Sequence, residues 1–261
     1  NEAADGDLIY CEGLAAELRK ENAPAIQKYR EFLQHPKFEE STFLYQCKNR
    51  LANLVIDQPD WKTSIADLPA NWLCESLAQR LRGKNRYDDA LAVIELAREH
   101  GATLAETVVT EAMILKGQKN WDGLCQLCDR WLAEKTSADD LVASNRYGLS
   151  AANRAFFDAW IATQQFDRAE QFLAQQTSDQ YDTADWKLTL AVARNDQKAA
   201  ESVFADAAAN STSSPDIAEL GESAAAIWSD EWREFRRRHP VSLHNISNSS
   251  SNSQAVLLRS S

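Results

Sequence analysis

At 261 residues, with 44% apolar side chains but only 8 Gly and 6 Pro, the chain is long enough to bury a sizeable core and too apolar to be disordered over most of its length. Ala, Leu, Glu, Gln, Arg and Lys are abundant while turn formers are few, so the expected fold class is all-α. A net charge of −11 opposes the phosphate-backbone attraction that nucleic-acid binders rely on, and no run of 18 or more apolar residues is present to span a membrane.

The five cysteines (Cys11, Cys47, Cys74, Cys125, Cys128) are odd in number and fall inside helical patterns, which favours a reducing compartment and a cytoplasmic location. Three N-x-S/T sequences, at Asn210, Asn245 and Asn248, would matter only in a secretory protein, and Ser-rich stretches generate such triplets by chance. The first residue is Asn rather than Met, so the chain is expected to be processed, trimmed or a fragment of something larger.

Two helices are signalled between Asp7 and Leu33, separated near Asn22 to Pro24, with Pro24 in the first turn of the second, where a missing N–H costs nothing. Residues 38–56 place Phe43, Cys47, Leu51, Leu54 and Val55 on one helical stripe, and a short helical segment from Asp60 leads to Pro69. From Asn71 to Glu134 one two-helix unit is written twice: KNRYDDALAVI overlays QKNWDGLCQLC when Tyr87 is set on Trp121, an offset of 34 residues. In the first copy, helix A runs from Asn71 to Leu81 and helix B from Tyr87 to Glu99; in the second they run from Thr107 to Leu115 and from Trp121 to Ala133. Gly83 and Gly117 are expected to close the two A helices, and Gly101 to cap the first B helix.

Residues 136–149 read as an insertion, because the next aligned aromatic, Phe166, lies 45 residues after Trp121. A further unit follows in ANRAFFDAWIATQQFDRAEQFLAQ, then a shorter one in which Ala200 aligns with Ala169 at a spacing of 31. Residues 210–240 read as terminal capping helices, and 241–261 as a disordered Ser/Asn-rich tail too poor in periodic apolar residues to offset its ordering entropy.

At these residues the chain resembles the tetratricopeptide repeat family. That pattern places small residues where helices A and B approach closely and large ones in the grooves between pairs. The first unit has Ala78, Ala90 and Ala97 as small sites, with Leu77, Leu81, Tyr87 and Ile94 as large ones. In the second, Ala112, Leu115 and Trp121 match, while Leu124 stands where the family prefers Ala; the third carries Phe156, Trp160, Phe166, Ala169 and Leu173. Gly13, Ala25 and Tyr29 are a weaker N-terminal echo.

The resemblance implies a right-handed α-solenoid of stacked antiparallel helix pairs over residues 1–240, clearest at 71–134 and 150–209. It implies a non-enzymatic protein–protein interaction scaffold that binds a peptide or protein partner on the concave helix-A face. That face would be lined by Trp72, Glu75, Gln79 and Arg82, then Glu106, Val109, Met113 and Lys116, then Arg154 and Asp158. Chaperone-binding members clamp a terminal carboxylate with a Lys and Asn set; Glu75 and Gln79 stand there instead, so that role is not expected. The alternatives are a pentatricopeptide-like protein binding single-stranded RNA, which the charge disfavours, and the helical-repeat segment of a larger enzyme or multidomain protein.

No catalytic constellation emerges. Cys125-x-x-Cys128 falls in mid-helix without a second ligand pair, and reads as buried structural thiols. His35, His100, His239 and His244 pair with no Ser, Cys or Asp in a catalytic pattern, and no phosphate-cradling glycine loop is present. Arg233 and Arg236–Arg238 read as a cationic last turn complementing a helix dipole. No cofactor or metal is expected.

Overall fold

The computed structural model describes residues 2–134, 146–175 and 184–209, and all regular structure among them is helical. The chain divides between Thr163 and Gln164 into two compact units.

The first unit contains α1 (Glu2–Leu18), α2 (Asn22–Gln34), α3 (Leu44–Val55), the short α4 (Trp61–Ile65), α5, α6 (Tyr87–Glu99), α7 (Leu104–Gln118), α8 (Trp121–Glu134) and α9 (Arg146–Ala162). Helix α5 is continuous through Ala70–Trp72, Leu73–Ala78 and Gln79–Gly83, the middle segment being π-helical. Apolar residues at spacings of three and four supply each buried face, as with Ala25, Ile26, Tyr29, Phe32 and Leu33 on α2.

Two boundaries differ from the sequence expectation. The stripe read over 38–56 is broken into a 3₁₀ turn at Phe38–Glu40 and a helix that starts at Leu44. The Ser41 hydroxyl donates to Asp7 Oδ1 at 2.6 Å and accepts from the Phe43 N–H at 3.1 Å, while the Phe43 ring stacks on Tyr10 with centroids 4.6 Å apart. These bonds compete with helix hydrogen bonding at that point. Helix α7 starts at Leu104 rather than Thr107, because Thr103 and Glu106 form a capping box: the Thr103 N–H donates to Glu106 Oε2 at 2.8 Å and the Glu106 N–H to Thr103 Oγ1 at 3.3 Å.

Helix ends are closed by a left-handed residue that recurs in register. Lys20, Asn85, Lys119, Gln164 and Asn195 all have φ between 55° and 62°. Asn85 and Lys119 are 34 positions apart, as are Tyr87 and Trp121; Gln164 and Asn195 are 31 apart, as are Ala169 and Ala200. At four of these turns the following N–H reaches back five residues to a carbonyl: Glu21 to Ala16 at 3.0 Å, and Arg86 to Leu81, Asn120 to Leu115 and Asp196 to Ala191, each at 2.9 Å. Gly83 and Gly117 therefore do not close the A helices as expected; both remain helical, and the left-handed position falls two residues later. Gly101, with φ +92°, does occupy the turn after α6. Gly117 has a different use: a Cβ there would lie 2.5 Å from Tyr87 Cε1, so its bareness lets α7 approach that ring.

Packing is between near neighbours in sequence. α1 packs on α2, α2 on α3 and α3 on α5; α5 packs on α6, α6 on α7, α7 on α8, and α9 on both α7 and α8. Helices α3, α5, α7 and α9 also form a series in which each touches the next. Ala78, Ala90, Ala97 and Ala112 are fully enclosed at these contacts. Two polar networks tie the helices together. The Tyr29 hydroxyl donates to Glu17 Oε2 at 2.6 Å, and Arg50 donates to Glu17 Oε1 at 3.0 Å, linking α1, α2 and α3. Burial and this bond to Glu17 push the Tyr29 phenol far above its ordinary value. Glu111, buried on α7, accepts from Arg98 of α6 and, at 3.0 Å, from Arg130 of α8.

The second unit contains α10 (Phe166–Gln175), α11 (Ala184–Ala193) and α12 (Gln197–Ala209), with α11 packed on both others. Phe172 stacks on Trp186 with centroids 5.8 Å apart, and Arg194 pairs with Asp167 at 3.2 Å and Glu170 at 2.8 Å. The expected capping helices at 210–240 and tail at 241–261 lie outside the described residues, as does 136–145 of the expected insertion; its last four residues begin α9.

Candidate groove between helices

An open groove of about 1000 Å³ lies among α3, α5 and α7, with Trp131 contributed by α8. On α5 its wall includes Glu75, Gln79 and Arg82, beside Asn71, Cys74, Ser76 and Arg80. The α7 wall is Ala105, Glu106, Val109 and Thr110. The α3 wall is Leu44, Tyr45, Lys48 and Asn49, with Tyr45 75% exposed. Five residues expected at a partner site (Glu75, Gln79, Arg82, Glu106 and Val109) are thus brought to one concavity.

The other five are placed differently. Trp72 is fully buried, and its indole N–H meets no hydrogen-bond acceptor among the described residues. At ordinary α-helical spacing it would share a face with Gln79; the π-helical turn between them advances less angle per residue and rotates Trp72 into the core. It is withdrawn from the partner surface. Lys116, Arg154 and Asp158 come together elsewhere, as an ion-pair cluster between α7 and α9: Lys116 Nζ lies 2.7 Å from Asp158 Oδ2, and Arg154 Nε 2.9 Å from Asp158 Oδ1. These three and the half-buried Met113 are not among the groove's lining residues. Glu106 lines the groove, but its carboxylate is engaged by Thr103.

The α3 wall escaped the sequence reading, because 44–55 matches no clear repeat. The signal was present in its amphipathicity: Cys47, Leu51, Ala52 and Val55 turn inward, leaving Tyr45, Lys48 and Asn49 on another side. The Lys48 side chain is only 11% exposed, and its ammonium lies 3.8 Å from Glu75. Arg80 is held across the groove by α3, donating to Asn53 Oδ1 at 2.5 Å and Asn49 Oδ1 at 2.6 Å. The Arg82 side chain makes no hydrogen bond or ion pair among the described residues. Burial pushes the Cys74 thiol, at the groove wall, up to about 11, although nearby Arg98 acts the other way.

All five cysteines are free thiols, with Cys125 and Cys128 buried in α8. No group of three His, Cys, Asp or Glu side chains that could hold a metal ion occurs among the described residues, and no helix among them is long and apolar enough to cross a membrane. No family model matches this sequence, and comparisons with curated proteins and with solved structures return no match either.

Proposed function

We propose that the protein is a non-enzymatic scaffold built as a right-handed solenoid of stacked antiparallel helix pairs, of the tetratricopeptide-like kind, and that it holds a peptide or protein partner in the groove between α3, α5 and α7. The carrying observation is that groove: every second helix contributes a wall, and Tyr45, Gln79 and Arg82 face it with no side-chain hydrogen bond or ion pair among the described residues. Support for the solenoid comes from the left-handed turns that recur at the offsets of 34 and 31, and from the series of contacts α3, α5, α7 and α9. The mixture of amides, hydroxyls, small apolar residues and one exposed tyrosine suits an extended chain with both backbone and side-chain contacts. A cytoplasmic setting belongs to the same reading and is supported by the five unpaired cysteines.

Selection of random 12-residue peptides on the full chain tests the proposal. Ala105→Trp fills the groove from the α7 wall, so the selected peptides should bind that variant at least tenfold more weakly. Peptides that bind it as tightly as the unaltered chain would refute the groove as the site.

A further inference from the structure

The groove carries three cations, Lys48, Arg80 and Arg82, against two acids, Glu75 and Glu106, in a chain whose net charge is −11. Their engagement decides what the groove accepts. Glu106 is tied to its capping box, and Arg80 to the amides of Asn49 and Asn53. Lys48 is largely enclosed and ion-paired with Glu75 at 3.8 Å, a separation beyond hydrogen-bond length that leaves its N–H donors open to a closer acceptor. Arg82, half-buried, has no acceptor among the described residues. An ammonium with three donors and a guanidinium with five, both on the groove wall, match carboxylate acceptors.

Their spacing narrows the ligand. Glu75, beside which Lys48 lies, and Arg82 are seven residues apart on α5, roughly 9–10 Å along the axis once the tighter rise of the π-helical stretch is allowed for. One carboxylate does not bridge that distance. An extended peptide rises about 3.3 Å per residue with alternate side chains on one side, so acids two or four residues apart stand about 7 or 13 Å apart and reach both cations through these flexible side chains. Ala102, Ala105 and Val109 on the opposite wall suit small aliphatic side chains nearby. A single-stranded nucleic acid fits less well, because it carries a charge on every nucleotide whereas the groove offers two open cations in a chain of net charge −11.

We infer that the occupant of the groove is an extended segment of a partner protein with two acidic side chains two or four residues apart, one seated on Lys48 and the other on Arg82. This rests on the groove reading above. The peptides selected on the full chain at physiological salt give the test, run in parallel on Arg82→Glu and Ala105→Trp, with circular dichroism showing each variant folded. Peptides that depend on Ala105 should be enriched in paired Asp or Glu at that spacing. Changing either acid to its amide should weaken binding roughly tenfold. Selection on Arg82→Glu should return Lys or Arg at one of the two places. Peptides that need Ala105 but show no acidic pair, or that bind Arg82→Glu equally well, would overturn this inference and leave the groove reading standing. Peptides indifferent to Ala105→Trp, or none at all, would overturn both. A 12-nucleotide single-stranded RNA that binds the groove more tightly than the best acidic peptide would overturn the choice of occupant.

Discussion

Replacing Gly13 by alanine sets local preference against packing. Within α1, alanine should gain about 1 kcal/mol over glycine, because glycine has more backbone freedom to lose. The added Cβ, however, would lie 2.7 Å from Tyr29 Cε1, 2.8 Å from Tyr29 Cδ1 and 3.2 Å from Lys28 Cβ. Carbon atoms pack at about 3.5–4.0 Å, so the ring must retreat by nearly an ångström. It has nowhere to go: Tyr29 is fully buried, and its hydroxyl is bonded to Glu17 at 2.6 Å, itself held by Arg50. Overpacking costs about 1–3 kcal/mol, and loosening a bond to a charged carboxylate costs a further 1–2 kcal/mol or so. After the helix-propensity gain, Gly13→Ala should destabilise the protein by about 2 kcal/mol, read as a lower urea midpoint at unchanged slope. Gly83→Ala is the control: nothing lies within 4 Å of its Cβ, so the same substitution should stabilise by about 0.5–1 kcal/mol. In a Tyr29→Leu background, Gly13→Ala should cease to destabilise. A Gly13→Ala protein that is more stable than the parent would show that α1 and α2 do not approach each other as described.

Ala90 is fully enclosed where α6 meets α5, whereas Ala92 is half-buried; leucine should cost about 1–3 kcal/mol at Ala90 and no more than about 0.5 kcal/mol at Ala92. Equal effects in chemical denaturation would mean that the face of α6 has been misassigned. Cys11 is the exposed thiol, so at pH 8 a thiol reagent should label the native chain once and reach Cys47, Cys74, Cys125 and Cys128 only after unfolding; two or more fast-reacting native thiols would contradict the packing. Burial raises the folded pKa of Cys74 from 9.0 to about 11, so its neutral form stabilises fully below pH 9 and that contribution is lost as pH rises from 9 towards 11. The fall in stability over that window should be smaller in Cys74→Ala than in the parent, and an identical fall in both would remove Cys74 as a contributor.

Much of the local architecture was written in the sequence, because helices are local objects. The three-and-four periodicity located α6 from Tyr87 to Glu99 without error, and the overlay of Tyr87 on Trp121 sets Asn85 on Lys119, the two left-handed residues, although Gly83 and Gly117 were expected to close those helices. Where side chains from distant positions intervene, the sequence pattern ran out. Ser41 bonded to Asp7 interrupts the stripe read over 38–56, and the Tyr29 ring explains Gly13 only once α1 and α2 are side by side. The site shows the same division. Glu75, Gln79, Arg82, Glu106 and Val109, which the family resemblance implied, line one groove, since neighbours on a helix face stay together whatever surrounds them. Trp72 was placed on that face by the same resemblance, but it lies in the core, immediately before the π-helical stretch of α5. Lys48 and Tyr45 became part of the groove only because α3 packs on α5, an adjacency decided by which buried faces fit together in three dimensions and not by any spacing along the chain.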